Sequence, residues 1–218
     1  MPSRIHPAAI VEKGARIGEG SVLWRFSHVR AGAVLGDSVM LGQGVYVAEG
    51  ARIGDRTRIQ NGVSVFNGVT LEEDVFVGPG VVFTNDRYPR ARRRRCWRPE
   101  RTLVRSGATL GAASVILPGL AIGRCAMTAA GAVVTRSVPD FALVAGNPAR
   151  WRGWVCRCGV PLRRQGHRDW KCVRCGRCYL QRRRRLLEAS GILARKKRTP
   201  RENPRAAPEV PGAATRAG

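Results

Sequence analysis

The sequence predicts an all-β fold, a parallel β-solenoid of six-residue repeats, followed by a small metal-binding module and a basic tail. Three observations carry this prediction. Apolar residues recur at every sixth position, small or β-branched residues stand four places after each of them, and two pairs of cysteines follow the last repeat. A period of six fits neither a lone helix nor an ordinary hairpin sheet, and it indicates stacked coils that bury a shared core.

The apolar rhythm begins at Ile5, runs to Phe83 and resumes at Val104. These side chains should point into the bore, with three hexapeptides to each triangular coil and a prism about 30 Å long. Thr128 is the only polar member, and its hydroxyl can bond locally. An ordinary β-sandwich, the alternative fold, does not explain twenty such positions, which are Ile5, Val11, Ile17, Leu23, Val29, Leu35, Leu41, Val47, Ile53, Ile59, Val65, Leu71, Val77, Phe83, Val104, Leu110, Ile116, Ile122, Thr128 and Val134.

The composition of the chain indicates which cellular compartment and which kinds of partner to expect. The chain has 218 residues and a formal net charge of +24, concentrated in residues 87–105 and after residue 150. Such a balance favours polyanionic partners, namely nucleic acid, an acidic membrane surface or phosphorylated ligands. The first ten residues contain no apolar signal core and no stretch approaches a membrane span, so we expect a cytoplasmic protein without a membrane partner. Seven cysteines in that compartment indicate metal rather than disulfides.

Residues 84–103 interrupt the repeat with an excursion dense in arginine. A long excursion from a solenoid is usually functional, because the repeat gains nothing from it. We expect an arm that reaches a neighbouring subunit and an anionic ligand. The alternative is a solvated, partly disordered loop.

Residues 155–180 are expected to form a module that resembles a zinc ribbon. Cys156 and Cys158 form one thiol pair, and Cys172 and Cys175 form another, with thirteen residues between the pairs. Four thiolates suit a tetrahedral, structural Zn²⁺ without an open position for catalysis. Cys178 and His167 remain alternatives for the fourth ligand. Cys96 and Cys125 stand apart and should be bystanders.

The chain therefore divides into three parts: a β-helix domain over 1–154, the ribbon-like module over 155–180, and a basic, Pro- and Ala-rich tail over 181–218. The start of the tail, residues 181–197, could form a short basic helix. The remainder is expected to be disordered.

Stacking arithmetic places candidate site residues. Residues eighteen apart should lie above one another, so Asn85 stands over Asn67 and Asn67 over Glu49, in a polar column that rises to the mouth of the excursion beside Asp86. Other corners carry polar residues too, so Asn85 could be a plain corner. His28 should point outward from the same face, about 14 Å below Asn85. That separation excludes one direct proton transfer but suits a long nucleotide ligand; a surface or interface histidine is the alternative.

Several segments of the chain resemble a known family. The segments "VFVGPGVVFTNDRYPRA" (75–91) and "GAVVTRSVPDFALVAGNPAR" (131–150), with "GW" and "CRCG" after them, are similar to the hexapeptide-repeat nucleotide-sugar N-acetyltransferases. The closest group acetylates the 3-amino group of UDP-2-acetamido-3-amino-2,3-dideoxy-glucuronate. The dTDP-3-amino-dideoxyhexose acetyltransferases share the "TND" and "YPR" segments and remain an alternative.

The resemblance implies a left-handed coil, a homotrimer with active sites between subunits, acetyl-CoA as co-substrate and a nucleotide sugar as acceptor. It places Asn85 and Asp86 at the reacting amine. It places the coenzyme at "GNPAR", where an arginine would meet phosphate charge. Substrate contacts are assigned to Trp24, His28, Arg30, Glu49, Asn67, Tyr88 and Arg90, and coenzyme contacts to Asn147, Pro148 and Arg150.

Three other functions are alternatives to this enzyme. A γ-class carbonic anhydrase needs three metal-binding histidines at one interface, and the repeats contain only His6 and His28. A scaffold that binds nucleic acid through its ribbon and basic tail is compatible with the charge. An inert structural trimer is the remaining alternative.

Overall fold

A computed structural model describes residues 1–92, 98–183 and 185–189. Met1–Glu188 form one compact unit. The predicted bystander Cys96, the centre of the arginine run in the excursion and nearly all of the tail lie outside the described residues. Among the residues described, no helix has the length and apolar composition that a membrane crossing requires.

The repeats form a solenoid of short strands, as the six-residue rhythm predicts. Each strand is two to four residues long, because each hexapeptide also has to turn a corner. The strands are β1 (Arg4–Ile5), β2 (Ile10–Val11), β3 (Arg16–Ile17), β4 (Val22–Leu23), β5 (His28–Val29), β6 (Val34–Leu35), β7 (Met40–Leu41), β8 (Tyr46–Val47), β9 (Arg52–Ile53), β10 (Arg58–Ile59), β11 (Ser64–Val65), β12 (Val69–Leu71), β13 (Phe76–Val77), β14 (Val82–Phe83), β15 (Thr102–Val104), β16 (Thr109–Leu110), β17 (Val115–Ile116), β18 (Ala121–Ile122), β19 (Met127–Thr128), β20 (Val133–Val134) and β21 (Ala142–Ala145).

Three parallel sheets form the faces of the prism. The first runs β1-β4-β7-β10-β13-β16-β19-β21, the second β2-β5-β8-β11-β14-β17-β20, and the third β3-β6-β9-β12-β15-β18. Every third strand therefore pairs, as a three-sided coil requires. Within the uninterrupted repeats the register is eighteen residues, for example Tyr46 with Ser64. The hand of the coil stays a prediction.

The bore is filled by the predicted apolar positions. From Leu23 to Val134 every predicted inward residue is at most 3% exposed. The first three differ, since the end of the solenoid has no coil beneath it: Ile5 is 45% exposed, and Val11 and Ile17 are half-buried. Thr128 is buried as expected, and its hydroxyl lies 3.2 Å from the Ser114 hydroxyl and accepts the Gly111 N–H at 3.1 Å.

Side chains at the corners tie one coil to the next. The Asp55 carboxylate accepts the Asp37 N–H at 2.9 Å, and the Asn61 amide oxygen accepts the Gln43 N–H at 2.9 Å, both across eighteen residues. Backbone donors that the tight turns leave unpaired are satisfied in this way. The polar residues of these corners therefore have a structural role.

The excursion leaves the solenoid after β14 and returns at β15 in register. Val82 pairs with Val115 and Val69 with Thr102, so the stacking continues on both sides of the excursion. Thr102 already belongs to a strand, and the irregular segment is therefore 84–101 rather than the predicted 84–103.

Beyond the coils, β22 (Arg150–Trp154) turns back and pairs antiparallel with β21. A fourth sheet then follows, in the order β23 (Arg163–Arg164), β24 (Asp169–Lys171), β25 (Cys178–Arg182) and β26 (Arg185–Glu188). This sheet is the predicted ribbon, and we call residues 155–188 the ribbon below.

The ribbon corrects two expectations. Its last strand ends at Glu188, beyond the predicted boundary at 180, and Gln181, Arg182 and Arg185–Glu188 belong to strands rather than to the start of a helix. Strand β26 pairs with β25 from Tyr179–Glu188 to Arg182–Arg185 and buries Leu186. Pairing with an open strand edge and burial of a leucine outweigh the local helix preference of an arginine run.

Candidate functional site

The mouth of the excursion carries Asn85 and Asp86 directly after β14. Both side chains are half-buried. Asp86 Oδ1 accepts the Tyr88 N–H at 2.9 Å, a local turn that positions this carboxylate by its own backbone. Within the described residues the Asn85 side chain makes no hydrogen bond, so its amide is available to a ligand. Tyr88 is 80% exposed and extends from the mouth.

Arg87 closes the base of the excursion. Its guanidinium contacts the Glu100 carboxylate at 3.3 Å and donates to the Pro118 carbonyl at 2.6 Å. The hydrogen bond to the Glu100 carboxylate is the main cause that raises the pKa of Arg87. The two ends of the excursion are therefore joined to each other and to the next coil. Arg90 lies on the exposed part and donates to the Pro89 carbonyl at 2.9 Å.

The predicted polar column is present in the register. Pairing of Ser64 with Tyr46 and with Val82 stacks Asn85 over Asn67 and Asn67 over Glu49. Asn67 is half-buried and Glu49 is exposed. Unlike Asp55 and Asn61, these side chains accept no backbone N–H from the coil below, within the part of the chain that is described. A purely structural role is therefore less well supported for Asn85 than for the other corners.

A charged cluster surrounds His28 lower on the same face. Glu12 Oε1 lies 2.8 Å from His28 Nε2 and 2.7 Å from Arg30 Nε, and Glu12 Oε2 accepts the Ala31 N–H at 2.9 Å. The Ala31 N–H, followed by the Arg30 and His28 side chains, lowers the pKa of the Glu12 carboxyl to about 2. This carboxylate therefore fixes the orientation of both basic side chains.

Aromatic rings extend this cluster upward. Arg30 Nη1 donates to the Tyr46 hydroxyl at 3.3 Å, and the His28 and Tyr46 rings meet edge to face at 5.6 Å. Tyr46 also packs near Phe66, with ring centroids 6.3 Å apart. Among the described residues, no hydrogen bond or ring pair joins the Trp24 side chain to this group, and Trp24 is 51% exposed. His28, Arg30 and two rings thus form one surface that could receive a planar or anionic group.

The two clusters are separate within one chain. His28 lies on β5 and Asn85 follows β14, and two further strands stand between them in the sheet. Three strand spacings correspond to about 14 Å, as predicted. The structure therefore does not bring His28 to the reacting position proposed for Asn85.

A cavity of about 510 Å³ lies where the last coil meets the ribbon. Its walls carry two guanidinium groups and two indoles, together with aliphatic side chains and one amide. They are Val134, Arg136, Ser137, Val138, Pro139, Val144, Ala149, Arg150, Trp151, Trp154 and Gln181. Of the predicted coenzyme contacts, Arg150 lines this cavity, whereas Asn147 and Pro148 are exposed in the turn before it.

The four predicted cysteines come together. The sulfur atoms of Cys156, Cys158, Cys172 and Cys175 all lie within 4.8 Å of one another, with 3.4 Å between Cys156 and Cys175 and 3.5 Å between Cys158 and Cys172. A tetrahedral Zn²⁺ with Zn–S bonds of about 2.3 Å requires sulfur separations of about 3.8 Å. The donor set therefore fits Zn²⁺. Cys178 and His167, the alternatives for the fourth position, lie outside the cluster.

Polar groups of neighbouring residues contact two of the sulfur atoms. The backbone N–H of Arg177 is the main cause that lowers the pKa of Cys175 to about 6, and the Arg177 guanidinium donates to the same sulfur at 3.3 Å. The Tyr179 hydroxyl lies 3.1 Å from the Cys156 sulfur. Such groups orient metal ligands and offset the charge of the thiolates.

Sequence reasoning missed several residues of these clusters. Glu12 and Tyr46 lie eighteen positions from Arg30 and His28, so the stacking arithmetic contained their signal. Arg136, Trp151 and Gln181 had no such signal, because the cavity joins two segments that have no common repeat.

Part of the chain is similar to known proteins. Residues 32–67 match the model of the family described as bacterial transferase hexapeptide (six repeats). A dTDP-3-amino-3,6-dideoxy-alpha-D-galactopyranose 3-N-acetyltransferase of Aneurinibacillus thermoaerophilus is 56% identical over 63 residues, which are 29% of this chain and 33% of that protein. Serine acetyltransferase 4 of Arabidopsis thaliana is 48% identical over 52 residues, 24% of this chain and 15% of that protein. The chain thus spans at most about a third of either relative.

Solved structures with a similar fold include two that contain a coenzyme. The acetyltransferase domain of PglB from Neisseria gonorrhoeae in complex with acetyl coenzyme A has a TM-score of 0.46 and 26% identity, with 69% of this chain and 58% of that chain covered. PerB from Caulobacter crescentus in complex with CoA and GDP-perosamine has a TM-score of 0.41 and 26% identity, with 70% and 58% covered.

Proposed function

We propose that this chain, whose residues 32–67 match the hexapeptide transferase model and whose repeats form a β-solenoid, is an acetyl-CoA-dependent N-acetyltransferase acting on the 3-amino group of a nucleotide-linked amino sugar. The observation that carries this proposal is the 56% identity over 63 residues to a 3-N-acetyltransferase of a dTDP-amino sugar. The position of Asn85 at the mouth of the excursion supports it independently, because this amide has no structural partner in the described chain.

The reaction is aminolysis of a thioester. The amine nitrogen attacks the acetyl carbonyl, the carbon–sulfur bond breaks, CoA leaves as a thiolate, and the amine proton is released to solvent or to the leaving sulfur. Such a step needs a neutral amine held in line with the carbonyl. The Asn85 amide oxygen would accept a hydrogen bond from the amine and direct its lone pair. Asp86, already fixed by the Tyr88 N–H, would stabilise the positive charge that develops on nitrogen.

The remaining parts of the site follow from the clusters. Arg150, with Arg136 beside it in the cavity, offers guanidinium groups to the phosphates of the coenzyme. His28 and Arg30, held by Glu12, would meet the nucleotide or a sugar carboxylate. Trp24, Glu49, Asn67, Tyr88 and Arg90 complete the proposed substrate contacts. The distance between the clusters fits an assembly in which a long substrate crosses between subunits, and we include a homotrimer and a cytoplasmic location in the proposal.

The nucleotide of the substrate has two candidates. The family resemblance favours UDP-2-acetamido-3-amino-2,3-dideoxy-glucuronate, for which Arg30 would pair with the uronate. The identity to the Aneurinibacillus thermoaerophilus enzyme favours a dTDP-3-amino-dideoxyhexose. A panel of both sugars decides between them.

We also assign a structural Zn²⁺ to the four-thiolate cluster. All four positions around the ion would be protein ligands, so no site for a reacting group would remain. When bound, the ion would hold the two knuckles of the ribbon together, and it would take no part in the chemistry.

The test measures thiol release from acetyl-CoA with a panel of 3-amino and 4-amino UDP- and dTDP-sugars. We expect turnover with one 3-amino sugar and a loss of about 10²-fold or more in kcat for Asn85→Ala, as for other groups that act mainly in the transition state. Asn61→Ala is the control, since it removes a corner amide that is not among the proposed site residues and that accepts the Gln43 N–H. Turnover that survives Asn85→Ala would remove this site, and no turnover with any sugar would remove the enzyme.

A further inference from the structure

The cavity at the end of the solenoid has one wall that does not belong to the solenoid. Most of its lining comes from the last coil and from β22, but Gln181 comes from β25 of the ribbon. The lining of this cavity is therefore completed by a residue of the ribbon. What Gln181 does there can be read from its hydrogen bonds.

Gln181 joins two tryptophans. Its side-chain oxygen Oε1 accepts the Trp154 indole N–H at 3.3 Å and the Trp170 indole N–H at 3.1 Å, and its Nε2 donates to the Arg183 carbonyl at 3.1 Å. An amide oxygen has two lone pairs, and both are in use. Trp154 is 3% exposed, so its N–H would lose its partner if this amide were removed.

Trp154 in turn sets the open part of the cavity. Its ring meets the Trp151 ring edge to face with centroids 5.7 Å apart, and Trp151 is 51% exposed. Both indoles and Arg150 lie on the five-residue strand β22. A rotation of Trp154 would therefore displace the surface that a planar ligand group meets.

The position of Gln181 depends on the thiol cluster. Strand β25 begins three residues after Cys175, and its Tyr179 lies 3.1 Å from the Cys156 sulfur while its ring packs on Phe141 of the solenoid at 5.6 Å. Strand β25 therefore connects the thiol cluster to Gln181. This path runs through packed and hydrogen-bonded groups without a gap.

We propose that Gln181 is a positioning residue for the coenzyme, through which the ribbon sets the affinity for the phosphorylated nucleotide end of CoA. The inference rests on the proposed function, because it takes CoA as the occupant of the cavity. Indole surfaces suit the stacking of a base, and guanidinium groups suit phosphates. Gln181 would act on the coenzyme through Trp154. It holds Trp154, and with it Trp151, in the orientation that the base requires.

The experiment titrates the full-length, zinc-loaded protein with CoA and with adenosine 3′,5′-bisphosphate, followed by tryptophan fluorescence and calorimetry. We expect Gln181→Leu to weaken both ligands by the same factor, about tenfold, since one buried indole N–H is left unpaired. Gln165→Leu is the matched control in the exposed part of the ribbon and should change neither. In turnover, KM for acetyl-CoA should rise with kcat unchanged.

Zinc removal tests the route through the ribbon. Chelation should weaken adenosine 3′,5′-bisphosphate in wild type, and should add little to the loss already present in Gln181→Leu, because both changes act through one group. If Gln181→Leu fails to retain zinc, Trp154→Phe replaces it, since it removes the same hydrogen bond without substituting a ribbon residue. A bisphosphate affinity equal to that of wild type in this variant would overturn the inference.

The outcomes separate the two proposals. If wild type does not bind CoA, the proposed function fails and the inference with it. If wild type binds CoA and Gln181→Leu binds it equally well, the inference alone is wrong. Weaker CoA binding with unchanged bisphosphate binding would also overturn it, because the effect would then lie outside the nucleotide end.

Discussion

The solenoid and the ribbon are stabilised in different ways. In the solenoid, a column of buried side chains, nearly all of them aliphatic, runs from Leu23 to Val144, so each coil is held by its neighbours. In the ribbon, the buried set is short and two of its members, Cys156 and Cys172, are thiols. Stability is thus spread along the first region and concentrated at one point in the second. A single substitution in the solenoid should therefore affect only the neighbouring coils, whereas loss of the thiol cluster should affect the whole ribbon.

Removal of zinc should give the largest effect. Structural zinc contributes on the order of 10 kcal/mol to the folding of small zinc modules, and the ribbon has little other core. We expect chelation, or Cys172→Ser, to abolish hydrogen-exchange protection over residues 160–188 while the coils stay protected. Cys178→Ser, outside the cluster, should retain zinc and protection. A ribbon that stays protected after zinc is lost would contradict this view of the module.

Truncation in the bore should come next. Ile59 is fully buried, and Ile59→Ala should cost about 2–5 kcal/mol from lost transfer energy and a cavity. Because coils stack by nearest-neighbour contacts, the loss of exchange protection should centre on β7, β10 and β13. Val34→Ala, at a half-buried outward position, should cost much less. Equal losses from the two variants would argue against a packed bore.

Substitution of one glycine in each region tests the same difference between the solenoid and the ribbon. A Cβ at Gly54 would lie 2.5 Å from the Glu73 backbone nitrogen, so Gly54→Ala forces two coils apart and should cost about 1–3 kcal/mol. Gly176 in the ribbon has φ of +74° and open space around it, so Gly176→Ala should cost only the left-handed backbone strain, about 1–2 kcal/mol. Denaturant unfolding of the coils should therefore respond to the first variant and hardly to the second.

The smallest effect concerns Glu12. Its pKa is lowered from the usual value near 4.5 to about 2, so its contribution to stability is present above pH 4.5 and is lost as the pH falls toward 2. The difference in Tm between wild type and Glu12→Gln should accordingly be seen at pH 6 and disappear near pH 2. Glu49→Gln, at an exposed carboxylate without a described ion pair, is the control. A difference in Tm that persists at pH 2 would contradict the assignment.

The predictability of the two regions also differs. Because the solenoid repeats, inward positions such as Ile59 and Ile116, the eighteen-residue register and the isolation of His28 from Asn85 could all be read from the sequence. The cysteine spacing likewise indicated the ribbon and the four cysteines that cluster in it. The strand at Arg185–Glu188 could not be read, since only pairing with β25 makes it a strand. Gln181 was missed for the same reason: its partners Trp154 and Trp170 are distant in sequence and follow no period.

The register across the excursion has a consequence for how such a protein can change. Ser64 pairs with Val82 eighteen residues later, whereas Val82 pairs with Val115 thirty-three residues later, so the excursion adds fifteen residues to one coil. Arg87 and Glu100 bring its ends together, and the chain re-enters in phase. The segment is therefore an exchangeable cassette: its excision at fifteen residues would restore the plain repeat, and a segment of another length and chemistry could be inserted at the same opening without disturbing the coils above and below.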